Sequence, residues 1–96
     1  MIMERTINAS TRDAFDVDFT DIPSSGYLWQ AVDPPDGLTL LSEGYADKEP
    51  EGIGVPRHWV FTFRAERPGD FTLRFALRRP WEAAAEREET VRVLVT

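Results

Sequence analysis

Apolar and polar residues alternate along most of the chain with the period of two that is typical of half-buried β-strands. The clearest example runs from Phe71 to Arg78, where Phe or Leu occupies every second position. The pattern predicts strands at residues 14–21, 27–32, 38–45, 57–65, 71–78 and 89–96, with a short edge strand at 5–10. Residues 81–89 have a helix-like composition but are too few for a stable helix, so a loop is expected there.

About seven short strands without intervening helices indicate two sheets packed face to face. We therefore expect an all-β protein, an immunoglobulin-like antiparallel β-sandwich that forms a single domain over residues 1–96. The turn at Glu66–Asp70 contains Pro68 and Gly69 and is expected to join its flanking strands into a hairpin. The predicted core comprises Phe15, Val17, Phe19, Trp29, Trp59, Phe61, Phe63, Phe71, Leu73, Phe75, Val91 and Val93.

Composition and charge limit the possible functions. The 96 residues suffice for one hydrophobic core but not for a second domain. The absence of cysteine excludes disulfides, thiolate metal sites and a cysteine nucleophile. The net charge of −6 argues against a nucleic-acid partner, because proteins that bind nucleic acids concentrate Lys and Arg.

Several further classes of function are not expected. No apolar run reaches the length of about 18 residues that a membrane span needs, so no membrane partner is expected. The single histidine, His58, is predicted on the exposed face of a strand, and neither a metal site nor a cofactor is expected. Asp16 and Asp18 lie on one strand face without a sign of a pocket, so no catalytic residues are assigned and the protein is not expected to be an enzyme.

The N-terminal residues Met1–Arg5 lack the apolar stretch of a secretory signal. The chain as given is therefore expected to be cytoplasmic, or extracytoplasmic if a leader has been removed. A monomer is expected.

Three predicted loops combine rigid or glycine-rich backbone with an aromatic residue. The first follows the strand at 14–21 and reads Ile-Pro-Ser-Ser-Gly-Tyr-Leu-Trp over residues 22–29. The second, the middle loop, contains Gly-Ile-Gly-Val-Pro at 52–56. The third, Arg-Pro-Trp at 79–81, ends the strongest strand pattern, and its proline stops strand pairing just before a large indole. Three such loops on one small β domain predict a binding edge.

In this order and spacing, the motifs resemble those of the chagasin family of cysteine peptidase inhibitors, and the resemblance extends over about residues 13–96. It implies a reversible, non-covalent inhibitor that occludes the active-site cleft of papain-like cysteine proteases, endogenous or foreign, with three loops at one end of the sandwich. The residues that the resemblance implies in protease binding are Pro23, Ser24, Ser25, Gly26, Tyr27, Gly52, Ile53, Gly54, Arg79, Pro80 and Trp81.

The residue types fit occlusion without chemistry. Pro23 and Gly26 would fix a sharp first loop whose small serines enter a narrow cleft. The glycines of the middle loop would permit close backbone approach. The resemblance implies that Pro80 holds the turn of the third loop and that Trp81 lies on an aromatic surface of the protease.

The sequence leaves alternatives open. Trp81 could instead cover the sandwich as a lid, Tyr27 either packs under the first loop or contacts the enzyme, and Arg79 either braces its loop or hydrogen-bonds the enzyme. Ile22 and Val55 stand where the family usually has Asn and Gly. The alternative function is an immunoglobulin-like module that keeps the scaffold but binds a non-protease partner.

Overall fold

The computed structural model describes residues 4–21, 25–46 and 56–96. Strands dominate this part of the chain, in agreement with the alternating pattern of the sequence. The seven strands found there are β1 (Glu4–Ala9), β2 (Ala14–Asp21), β3 (Leu28–Val32), β4 (Leu38–Tyr45), β5 (Arg57–Ala65), β6 (Gly69–Arg78) and β7 (Arg87–Val95). Nowhere in these ranges does a helix have the length and apolar character needed to cross a membrane.

The strands form two sheets, which confirms the predicted immunoglobulin-like sandwich. One sheet has the order β1-β7-β6-β3 and the other the order β2-β5-β4. All neighbouring strands are antiparallel except β1 and β7, which run parallel. The alternating pattern indicates which residues face the core but not the direction of a strand, so this parallel edge departs from the purely antiparallel expectation.

The prediction of a hairpin at Glu66–Asp70 is wrong. β5 pairs with β2 and β4, whereas β6 pairs with β3 and β7, so the turn crosses from one sheet to the other. Alternation alone fits either arrangement, because a strand that faces the core from one sheet has the same pattern as a strand that faces it from the other. The rings of Phe63 in β5 and Phe75 in β6 meet in the core at 6.2 Å between centroids.

The predicted core is observed between the two sheets. Every predicted core residue is buried except Phe15 and Trp59, which are partly buried and pack against the others. Aromatic rings fill its centre: the centroid of Phe19 lies 4.4 Å from that of Trp29 and 4.7 Å from that of Phe75. Offset and tilted pairs of this kind contribute about 0.5–1.5 kcal/mol each beyond the area they bury.

Candidate functional site

The strand register brings the described flanks of the three predicted loops to one end of the sandwich. In the three-stranded sheet, Asp21 at the end of β2 lies beside Arg57 at the start of β5. In the four-stranded sheet, Leu28 at the start of β3 lies beside Arg78 at the end of β6. The chain therefore leaves β2, β4 and β6 at this end, which we call the loop end. The connections at residues 10–13, 33–37 and 66–68 lie at the opposite end.

The two sheets come together beneath the loop end. The indole Nε1 of Trp29 in β3 donates a hydrogen bond to the backbone carbonyl of Thr20 in β2, with an N to O distance of 3.3 Å. Next to this contact is a cavity of about 420 Å³ between the bases of the first and middle loops. Its described lining residues are Thr20, Asp21, Ser25, Tyr27, Pro56, Leu77 and Arg87.

The first and third loops touch each other. Gly26 adopts a φ of 81°, in the left-handed region that favours glycine. A Cβ atom at this position would lie 3.4 Å from Cη2 of Trp81 and 3.9 Å from Nε of Arg79. Those are ordinary van der Waals distances, so the positive φ rather than a lack of space favours glycine here.

Arg79 connects the aromatic residues of these two loops. Its guanidinium carbon lies 4.4 Å from the ring centroid of Tyr27 and 5.9 Å from that of Trp81. The guanidinium also pairs with the carboxylate of Glu82 at 3.5 Å. Of the two roles left open by the sequence, the structure gives Arg79 the bracing contacts, and Tyr27 packs beneath the guanidinium.

Trp81 projects into solvent. It is 73% exposed, more than any other large apolar residue in the described ranges. The third loop turns sharply here, because the backbone N–H of Glu82 donates to the carbonyl of Arg79 at 3.0 Å. The lid alternative is therefore wrong, since the indole does not cover the core. Residues 81–86 form turns and bends, as predicted for a loop.

The structure brings six of the predicted site residues to the loop end: Ser25, Gly26, Tyr27, Arg79, Pro80 and Trp81. The predictions for Pro23, Ser24, Gly52, Ile53 and Gly54, and for the departures Ile22 and Val55, lie outside the described residues. The described flanks of the middle loop lie at the loop end. There the backbone N–H of Ala46 donates to the carbonyl of His58 at 3.0 Å, and Pro56 lines the cavity.

Sequence reasoning missed a buried polar cluster at the base of these loops. Asp21 is only 5% exposed, and Tyr45 Oη donates to its Oδ2 at 3.4 Å. The guanidinium carbon of Arg57 lies 3.8 Å from the ring centroid of Tyr45. Burial raises the pKa of Asp21, while the hydrogen bond from Tyr45 and the charge of Arg57 oppose that shift. In the alternating pattern of β2, Asp21 occupies the next inward-facing position after Phe15, Val17 and Phe19. A charged residue at such a position is the sequence signal that could have revealed the cluster.

The described residues offer contacts rather than chemistry. No group of three or more His, Cys, Asp or Glu side chains in these ranges is placed to hold a metal ion. His58 is exposed on a strand, as predicted, with its Nδ1 3.4 Å from Oδ2 of Asp18. The loop end instead presents an exposed indole, a braced guanidinium and a glycine-containing turn, which together suit binding to another protein.

The family model of the Chagasin family peptidase inhibitors, I42, matches residues 8–95. The chain belongs to the chagasin family. Members of this family inhibit peptidases and are not enzymes. A curated relative of this chagasin-family chain, Amoebiasin-2 from Entamoeba histolytica, is 28% identical over 83 residues, which are 84% of the chain and 68% of the relative.

Several solved structures resemble this chain in fold. The cysteine protease inhibitor EhICP2 from Entamoeba histolytica superimposes with a TM-score of 0.76 at 24% identity, covering 99% of the chagasin-family chain and 93% of EhICP2. The solution structure of Amebosin gives a TM-score of 0.72 at 26% identity, with coverages of 95% and 88%. PbICP-C, solved in complex with falcipain-2, gives a TM-score of 0.63 at 17% identity, with coverages of 99% and 91%. The likenesses to EhICP2 and PbICP-C show the shared fold.

Proposed function

We propose that the chain is a reversible, non-covalent inhibitor of papain-like cysteine proteases that occludes their active-site cleft with the loop end. The proposal depends above all on one observation: the first and third motifs, far apart in sequence, touch through Tyr27 and Arg79 at the end where the middle loop also leaves its sheet. Membership of the chagasin family and the complex of PbICP-C with falcipain-2 support it.

The first loop blocks the cleft with backbone and small side chains. Ser25 and Gly26 present little bulk, and the hydroxyl of Ser25 accepts a hydrogen bond from the backbone N–H of Tyr27 at 3.2 Å. Such a bond within the loop favours one loop conformation before the protease arrives. A preordered loop loses less conformational entropy on docking than a flexible one, so more of the contact energy remains as affinity.

The third loop adds an anchor beside the first. The indole of Trp81 is exposed and ready to be buried against the protease, while its neighbour Arg79 is held by Tyr27 and Glu82. Burial of a large aromatic residue next to the blocked cleft stabilises the complex and excludes water from the contact. Inhibition then needs no covalent bond to the catalytic thiol.

Titration of papain with the purified protein tests the proposal. We expect stoichiometric inhibition at or below about micromolar concentration, competitive with a small peptide substrate and reversed by dilution. Mass spectrometry after incubation should recover the intact chain. Trypsin, a serine protease, serves as the control and should keep its activity. Full papain activity at about a hundredfold molar excess of the protein would overturn the proposal for this class of protease.

A further inference from the structure

We propose that Asp21, Tyr45 and Arg57 form a positioning cluster that holds the first and middle loops in the arrangement that inhibits the protease. This inference rests on the proposed function. The three residues stand where these loops join the three-stranded sheet, since Asp21 is the last residue of β2, Tyr45 the last of β4 and Arg57 the first of β5. One cluster therefore ties together three strand ends that carry two loops.

The contacts within the cluster are specific. Tyr45 Oη donates to Oδ2 of Asp21 at 3.4 Å, and the guanidinium of Arg57 lies over the Tyr45 ring at 3.8 Å. The same ring meets Trp59 edge to face, with 4.7 Å between centroids. Because Trp59 packs against the hydrophobic core, the ring that bonds Asp21 is itself held from below.

The cluster is a poor device for stability alone. Asp21 occupies an inward-facing position of β2 at which an apolar residue would continue the series Val17 and Phe19. Within the described part of the chain no hydrogen-bond donor reaches its buried Oδ1. A buried acceptor without a partner is destabilising, so a carboxylate here needs a reason other than core packing.

The position of the cluster supplies that reason. Beneath the loops lies the cavity of about 420 Å³, which Asp21, Ser25 and Pro56 all line. Apolar packing therefore cannot fix the separation of the two loop bases at this point. Beside this cavity, the hydrogen bond from Tyr45 to Asp21 and the stacked Arg57 add side-chain contacts to the backbone pairing of the three strand ends.

A double-mutant cycle of Asp21→Ala and Tyr45→Phe tests the role. Tyr45→Phe removes only the hydroxyl and keeps the ring beneath Arg57, whereas Asp21→Ala removes the acceptor. We expect each change to raise the inhibition constant for papain at least about threefold. Because both changes remove the same hydrogen bond, the inhibition constant of the double variant should not exceed that of the less potent single variant. Active-site titration should still show one inhibitor bound per protease, since the variants remain folded.

Two further measurements distinguish positioning from general stability. Val95→Ala truncates a buried residue at the opposite end, so it should lower the melting temperature without changing the inhibition constant. In the free protein, Tyr45→Phe should shift the NMR amide resonances of Ser25 and Gly26 more than those of the connection at 33–37. If the wild-type protein does not inhibit papain, the proposed function fails, and the NMR comparison alone then decides the positioning role.

The inference is overturned in either of two cases. One is a Tyr45→Phe variant whose inhibition constant stays within about twofold of the wild-type value. The other is a spectrum of that variant in which the Ser25 and Gly26 resonances do not move.

Discussion

Trp81 is a large apolar residue whose exposure has no structural benefit in the free protein. It is 73% exposed, and the guanidinium carbon of Arg79 lies as far as 5.9 Å from its ring centroid. We predict that Trp81→Ala raises the inhibition constant for papain at least about tenfold, because truncation of an aromatic anchor commonly costs 2 kcal/mol or more. Its melting temperature should change little.

Inhibition assays and thermal unfolding together check this prediction. Leu41→Ala is the matched control, because Leu41 is also an exposed large apolar residue but lies on β4, away from the loop end. It should leave the inhibition constant unchanged. A large loss of thermal stability in Trp81→Ala would show instead that the indole belongs to the packed structure.

Asp21 links stability to pH. Burial raises its pKa above the ordinary value of 3.8, which means that the folded protein binds this proton more tightly than the unfolded chain. The contribution of Asp21 to stability therefore falls as the pH rises from the ordinary pKa through the raised one, and the ionised carboxylate is a net cost above that window. Asn at this position keeps a similar shape and an acceptor for Tyr45 without the charge.

We therefore predict that Asp21→Asn has a higher melting temperature than the wild type at about pH 7, and that the difference shrinks as the pH approaches about 4. Thermal unfolding of both proteins over that range is the measurement. The surface carboxylate Asp70, whose pKa is lowered by its hydrogen bonds with Arg92, supplies the opposite control. Any loss of stability of Asp70→Asn relative to the wild type should instead be present near pH 7 and disappear as the pH is lowered. A difference for Asp21→Asn that does not vary with pH would contradict the prediction.

At the scale of the strands, the sequence predicts the features that depend only on residues close together in the chain. The alternation of apolar residues located all seven strands within about two residues of their ends and identified the core, because each strand buries every second side chain whatever its neighbours are. The sheet to which each strand belongs depends on partners distant in the chain. The hairpin expected at Glu66–Asp70 was therefore wrong, and the parallel pairing of β1 with β7 was not foreseen.

The same distinction applies to the candidate site. The loop motifs were visible because proline, glycine and tryptophan are unusual neighbours in so short a segment. The cluster at Asp21 was not, because it forms only when the ends of β2, β4 and β5 are aligned side by side. Its signal was a charged residue at a position where the alternation predicts an apolar one.

The connection between β3 and β4 shows how tightly the end opposite the loops is packed. Gly37 has a φ of 105°, and a Cβ atom there would lie 2.6 Å from Cε1 and 2.8 Å from Cζ of Phe71. Since Phe71 is a buried core residue, its ring has little room to move. We predict that Gly37→Ala destabilises the protein by about 2 kcal/mol or more, because backbone strain and overpacking act together.

Urea unfolding of Gly37→Ala measures this cost. Gly44→Ala is the control, because a Cβ atom at Gly44 would meet nothing within 4 Å in the described structure. Its free energy of unfolding should match the wild-type value or exceed it slightly. The folded fraction of Gly37→Ala should inhibit papain normally, since the connection lies far from the loop end. Equal stability of the two variants would contradict the predicted clash.

At the scale of the whole molecule, the proposed function assigns protease binding to the loop end and leaves the opposite end free. The chain leaves β2, β4 and β6 at the loop end, and the connections at 10–13, 33–37 and 66–68 lie at the opposite end. If the loop end enters the active-site cleft, bulk added there must prevent binding, while bulk added at the other end must not. The chain has no cysteine, so a single introduced thiol can carry a bulky label at a chosen position.

We predict that a large maleimide label on Asp36→Cys leaves the inhibition constant within about twofold of the wild-type value, whereas the same label on Glu82→Cys abolishes inhibition. The side chain of Asp36 is 98% exposed at the opposite end, and Glu82 follows Trp81 in the third loop. Labelling must precede mixing, and free reagent must be removed, because papain depends on its own thiol. The unlabelled variants separate the effect of each substitution from that of the added bulk. Equal inhibition by both labelled proteins would mean that the loop end does not enter the cleft, even if the wild-type protein inhibits the enzyme.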